Sequence, residues 1–127
     1  MYSHMMVGSS DVARSKLFYD ALFGAVGAAA DTVDAKGRAI YRHKGALFMV
    51  TQPINGQPAS VGNGSTVGFA LDGPDQIDAW HAAGVAAGGT AVEDAPGWRP
   101  RDYGRIYLAY LRDPDGNKLC ATFREER

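Results

Sequence analysis

Tyr110-Leu111-Arg112-Asp113-Pro114-Asp115-Gly116-Asn117-Lys118-Leu119 reads as the end of one strand, a tight turn and the start of a returning strand. Proline favours the second position of such a turn and glycine the last, so Asp113-Pro114-Asp115-Gly116 is a strong turn signal. Working outward, strands are expected at 105–112 and 118–123, with a shorter one at 90–93. Further upstream, 66–71 is a strand and Asp72-Gly73-Pro74-Asp75 opens a helix. Pro74 suits a first helical turn, where its missing N–H costs nothing. Ile77, Trp80 and Gly84 follow at helical spacing, and Gly88-Gly89 stops the helix.

The same order of elements occurs 62 positions earlier, with Phe18 matching Trp80 and Gly27 matching Gly89. Residues 2–8 form a short apolar strand ending in Gly8-Ser9-Ser10-Asp11, whose small polar side chains are good helix caps. Val12, Ser15, Phe18, Tyr19 and Leu22 then make one buried helical stripe, ended by Gly24 and Gly27. Strands are expected at 26–33, 38–43 and 46–52, with turns at Lys36-Gly37 and Lys44-Gly45. The chain thus reads as one α+β domain, 1–127, of two βαβββ modules at about 1–52 and 65–127. Residues 53–64, rich in Gly, Pro, Asn and Ser, link them. Paired, the modules are expected to make a cupped, mainly antiparallel, eight-stranded sheet, and concave surfaces of that kind bind small ligands.

Bulk properties narrow the function classes. With 13 basic and 14 acidic residues the formal net charge is −1, too balanced to hold nucleic acid or an anionic membrane by a global field. No apolar run approaches the roughly 20 residues needed to span a bilayer. The single cysteine, Cys120, excludes an intrachain disulfide, and no signal-like segment opens the chain, so a cytoplasmic protein is expected. Phosphate-loop, nucleophile-elbow and C-x-x-C patterns do not occur.

Four stretches resemble the glyoxalase/bleomycin-resistance/extradiol-dioxygenase (vicinal oxygen chelate) superfamily. They are His4-Met5-Met6-Val7 with Asp11, Ser15-Lys16-Leu17-Phe18-Tyr19-Asp20-Ala21-Leu22-Phe23-Gly24, Val67-Gly68-Phe69-Ala70-Leu71-Asp72, and the 110–119 stretch. The resemblance implies the glyoxalase-like fold and, for the enzymes, one divalent metal held by side chains from four strands. By position those slots fall on His4, Met49, Thr66 and Cys120, and only His4 keeps the expected ligand type. Hard cations want several oxygen donors, and zinc would find at most an imidazole and a thiolate, so no metal or other cofactor is expected.

Beside these four pocket-lining candidates, Pro96-Gly97-Trp98-Arg99-Pro100-Arg101-Asp102-Tyr103-Gly104-Arg105 packs three arginines and two aromatics into what reads as a loop. Arg101, Tyr103 and Arg105 could hold an anionic organic group there; the alternative is a solvent-facing loop with its rings folded on the sheet. Cys120 reads more readily as a small buried hydrophobe than as a reactive thiol, and His4 as a pocket-lining residue hydrogen-bonded inside the concavity. His43 and His81 read as solvated. One of Tyr107 and Tyr110, of opposite parity, faces the cavity, and the sequence leaves open which.

The leading expectation is a binding protein for a small organic, anionic molecule, forming homodimers and bearing no assignable catalytic residue. The alternative is an enzyme, either a lactoylglutathione-lyase-like lyase or isomerase or other enzyme of the superfamily with an atypical metal site using His4, or a metal-free one using His4 or Cys120; a third is a ligand-free dimerisation module. Whether the chain is an enzyme stays open at this level.

Overall fold

The computed structural model describes residues 1–28 and 30–125. Among these residues the elements run β1 His4–Gly8, α1 Val12–Gly24, β2 Ala30–Val33, β3 Ala39–His43 and β4 Ala46–Thr51. They continue β5 Val67–Ala70, α2 Pro74–Ala86, β6 Thr90–Ala91, β7 Gly97–Arg101, β8 Gly104–Arg112 and β9 Lys118–Arg124.

Each helix starts for a local reason. The Asp11 carboxylate accepts the Arg14 N–H at 3.1 Å, capping α1. Pro74 occupies the first turn of α2 with Asp75 beside it, where a negative charge suits the exposed N–H groups. The buried stripes are Ser15, Phe18, Tyr19, Leu22 and Phe23 on α1, and Ile77, Trp80 and Gly84 on α2. Lys44 and Gly45, at φ 49° and 81°, make the two-residue turn from β3 to β4, a conformation that suits the twist of the flanking strands.

The strands lie in two sheets, ordered β1-β4-β3-β2 and β5-β9-β8-β6, with β7 also paired to β8. In each sheet the module's first strand runs parallel to its last and forms an edge. The second module carries a strand more than the sequence suggests, because 97–101 pairs antiparallel with β8 over 97–101 and 104–108 rather than looping free. Pro100 is tolerated there because β7 pairs with β8 alone. The strand expected at 26–33 begins only at Ala30, Ala29 lying outside the described residues, and that expected at 90–93 stops at Ala91.

One main core joins both modules. Phe18, Tyr19, Leu22, Trp80, Val50, Leu111 and Leu119 are buried in it together. The helices pack on each other because α2 has no side chain at Gly84, where an added Cβ would lie 2.4 Å from a Leu111 methyl and 3.0 Å from one of Leu22. Leu22 and Gly84 are themselves matched at the 62-residue offset, so the duplicated position is filled from one copy and vacated in the other. Phe18 closes over Gly89 in the same way, at 2.5 Å from the Cβ that glycine lacks.

The Asp113–Asn117 turn clamps the modules together. Asp113, 3% exposed, accepts hydrogen bonds from the Tyr19 hydroxyl at 2.6 Å and from the Asn117 amide and the backbones of Asp115 and Asn117, each at 2.9 Å. Asp115 accepts the Ser10 N–H at 2.8 Å, the Ser15 hydroxyl at 2.9 Å and the Arg14 guanidinium at 3.1 Å. Asn117 reaches the Gly8 carbonyl at 2.9 Å. Burial and the Asp113 charge push the Tyr19 hydroxyl's pKa well above its ordinary value.

Candidate functional site

Strand alternation sorts every candidate residue onto a face. On β8 and β9, Ala109, Leu111, Leu119 and Ala121 point into the main core. Their alternates Ile106, Leu108 and Cys120, with Tyr110 packed against them, form a separate apolar cluster on the opposite, cupped face. On β1 and β4, Val7 and Val50 face the core, so His4, Met6 and Met49 belong to the cupped face of the first sheet. Gly68, register partner of Cys120, brings β5 into the second cupped face without adding bulk.

His4 and Met49 therefore share one sheet and Cys120 belongs to the other. His4 is exposed and its Nδ1 lies 2.7 Å from the Ser3 hydroxyl, a local contact in place of the half-buried hydrogen-bonded position expected for it. Met49 is 6% exposed. Thr66 is exposed just before β5 and lines a cavity of about 300 Å³ with Arg112 and Lys118. Cys120 is buried; burial pushes its thiol pKa up, and the hydroxyl of Tyr110, which hydrogen-bonds to the sulfur, only partly opposes that. A protonated thiol, a thioether and a threonine hydroxyl do not fit the donor set of a hard divalent ion. Among the described residues no group of three or more His, Cys, Asp or Glu side chains could hold a metal.

The parity of the tyrosines is resolved. Tyr110 sits opposite Cys120 on the cupped face. Tyr107 packs on the other side with Trp98, their rings 5.2 Å apart, and donates to Asp78 of α2 at 2.7 Å. That hydrogen bond is the main reason the Tyr107 pKa is pushed up to about 12.

The arginine-rich segment divides between the faces. Arg105 stacks 3.8 Å from the Trp98 ring centre and grips Glu125 with two hydrogen bonds of 2.7 and 3.0 Å, on the face away from Cys120. Arg99 donates to the Ala95 carbonyl at 2.9 Å and Arg101 to that of Pro100 at 2.7 Å. Tyr103, 44% exposed, accepts from Arg124 at 3.2 Å. Arg101 still lies close enough to Tyr110 to favour its ionised form, although burial leaves that hydroxyl's pKa raised. Sequence reasoning passed over Arg112 and Lys118, register partners on the cupped face; the signal was their parity with Tyr110 and Cys120.

His81 is half-buried and bonded to the Tyr110 backbone rather than freely solvated, burial lowering its pKa; His43 is likewise only part-exposed. A second cavity, of about 410 Å³, opens between the two sheets, lined by Phe23, Tyr41, Phe48, Phe69 and Lys44. None of the candidates read from the sequence lines it. Among the described residues no helix is long and apolar enough to cross a membrane.

Comparison with known proteins agrees with this architecture. The chain is similar to a glyoxalase/bleomycin resistance protein of Albidiferax ferrireducens T118, at 55% identity and TM-score 0.93, over 98% of this chain and 99% of that one. It shares its fold with a glyoxalase-related enzyme of Fulvimarina pelagi, at 20% identity and TM-score 0.72, over 98% and 88% of the two chains. A lactoylglutathione lyase of Agrobacterium tumefaciens, at 18% identity and TM-score 0.66 over 96% and 92%, likewise shares the fold. No curated protein matches the chain. The family model described as a glyoxalase-like domain matches residues 4–122, and the chain belongs to that family.

Proposed function

We propose that this protein binds a small organic molecule on the cupped face of its second sheet, without a divalent metal. The observation that carries the reading is the make-up of that face: Ile106, Leu108, Cys120 and Tyr110 form an apolar floor where the family's enzymes would need an ionised ligand. Such a floor suits the apolar body of a ligand, with polar groups at its margin fixing orientation. The lactoylglutathione-lyase-like alternative has less support, since His4 is exposed and its Nδ1 lies against the neighbouring Ser3 hydroxyl.

The working unit in this proposal is a homodimer in a reducing, cytoplasmic setting. β1 and β5 are both open sheet edges, and Met5 and Met6 beside one of them are 41% and 39% exposed. Pairing the β1 edge of one copy with the β5 edge of another would join two half-cups and cover those methionines, which a lone chain leaves as an aggregation hazard.

Thermal unfolding in the presence of glutathione conjugates, aromatic carboxylates and aromatic drugs tests the binding. A ligand at about 100 times its Kd stabilises by roughly 2.7 kcal/mol, a rise of several degrees in Tm. At least one class is expected to give such a rise, diminished in Leu108→Ala relative to that variant's own baseline. No rise with any class would overturn the reading.

A further inference from the structure

We infer that the cavity between residues 61–66 and the Arg112–Lys118 pair is the seat for the anionic oxygen group of the ligand, a carboxylate or a phosphate monoester. The inference rests on the binding reading above and names the ligand class it requires. Arg112 and Lys118 are register partners on β8 and β9, one like-facing rung along from Tyr110 and Cys120. Like-facing residues of a strand are roughly 7 Å apart. A ligand whose apolar body lies over Tyr110 and Cys120 therefore carries its far end to the two cations.

The cavity, about 300 Å³, is closed on its other side by the Gly62-Asn63-Gly64-Ser65 turn and Thr66, which add two hydroxyls and an amide. Gly64 holds φ +97°, a backbone few other residues adopt, and a Cβ on Gly62 would strike the Ser65 hydroxyl at 2.3 Å.

Both cations are positioned in advance. Arg112 donates from Nη1 to the Gly116 carbonyl at 2.7 Å, which uses one of five N–H donors and orients the rest of the group. The Lys118 ammonium lies 5.0 Å from the Tyr110 ring centre and is paired with the Glu93 carboxylate. Glu93, at φ 59°, is one of two described non-glycine residues with positive φ, the other being Lys44 in its hairpin turn. Its side chain is 47% exposed, so the pair is of the weak surface type, and a ligand anion can displace it at little cost. Glu93 thus acts as a resident carboxylate on a site made for one. Among the described residues lining the cavity, Arg112 and Lys118 are charged and none is acidic, so the pocket runs opposite to the chain's formal net charge of −1.

Titration of the ¹⁵N-labelled chain with benzoate, phenyl phosphate and neutral benzamide, followed by NMR, tests this. Benzoate, phenyl phosphate or both are expected to shift the Gly62, Gly64 and Ser65 amides saturably, and to bind about tenfold more tightly than benzamide; whichever anion binds better identifies the group. Lys118→Met, which keeps the stem over Tyr110, should weaken the anion about tenfold at unchanged Tm, and Glu93→Gln should strengthen it. If benzamide binds at Tyr110 and Cys120 as tightly as the anions, or Lys118→Met leaves anion affinity unchanged, the anion seat is wrong while the binding reading stands. If none of the three probes binds and thermal unfolding finds no ligand either, both fall.

Discussion

Asp115 shows how much of this fold is settled by single side chains. Burial opposes its ionisation, but the Ser10 N–H, the Ser15 and Ser9 hydroxyls and the Arg14 guanidinium outweigh it, holding its pKa below the ordinary carboxylate value. A group with a depressed folded-state pKa stabilises fully above its unfolded value, and that contribution is lost as pH falls through the folded one. Asp115→Asn should therefore cost about 1.5–3 kcal/mol in urea unfolding at neutral pH. The wild-type advantage should shrink below about pH 4; an unchanged gap there would remove the charged clamp. Cys120 carries the opposite sign. With its thiol pKa raised by burial, it should react with a disulfide reagent far more slowly in the folded chain than in urea at the same pH. Equal rates would mean an accessible thiolate. The 113–117 turn was legible as a turn, since proline and glycine act locally. Its role as a clamp was not, because Tyr19, Ser10 and Gly8 stand some hundred residues away.

At the scale of elements, the helices were legible because their stripes and caps repeat at fixed spacing, whereas β7 was not. Gly97-Trp98-Arg99-Pro100-Arg101 carries a proline and no apolar alternation, and its pairing depends on β8 rather than on its own residues. Alternation along β8 itself sends Arg105 to the face away from Cys120 and Tyr110. The α1–α2 contact was hidden for a related reason: Gly84 reads as a weak helix residue until Leu22 and Leu111 are seen filling its place. Gly84→Ala improves helix propensity yet overpacks this contact, so a net loss of about 1–3 kcal/mol is expected in thermal unfolding. Leu22→Ala should make room for the added methyl, leaving the double variant less destabilised than the sum of the two single ones. Strict additivity would show that the methyl does not contend with Leu22.

The whole molecule is two sheets clasped through their helices and the 113–117 turn, with both cupped faces outside the common core and, among the described residues, the outer backbone edges of β1 and β5 unpaired. The repeat made this architecture readable, but how the halves meet depends on contacts that no single segment contains. A dimer joined through those edges should have twice the mass of the 13.5 kDa chain in light scattering, and Met6→Asp should return it to the single mass. A wild-type monomer would leave each half-cup to work alone. Whether the cup of this family member holds an organic ligand without a metal is decided by elemental analysis. The chain would be incubated with Mg²⁺, Mn²⁺, Ni²⁺ and Zn²⁺ in turn and then desalted. The expected result is no ion retained in stoichiometric amount, in wild type and His4→Ala alike. About one ion per chain in wild type, lost in His4→Ala, would contradict it.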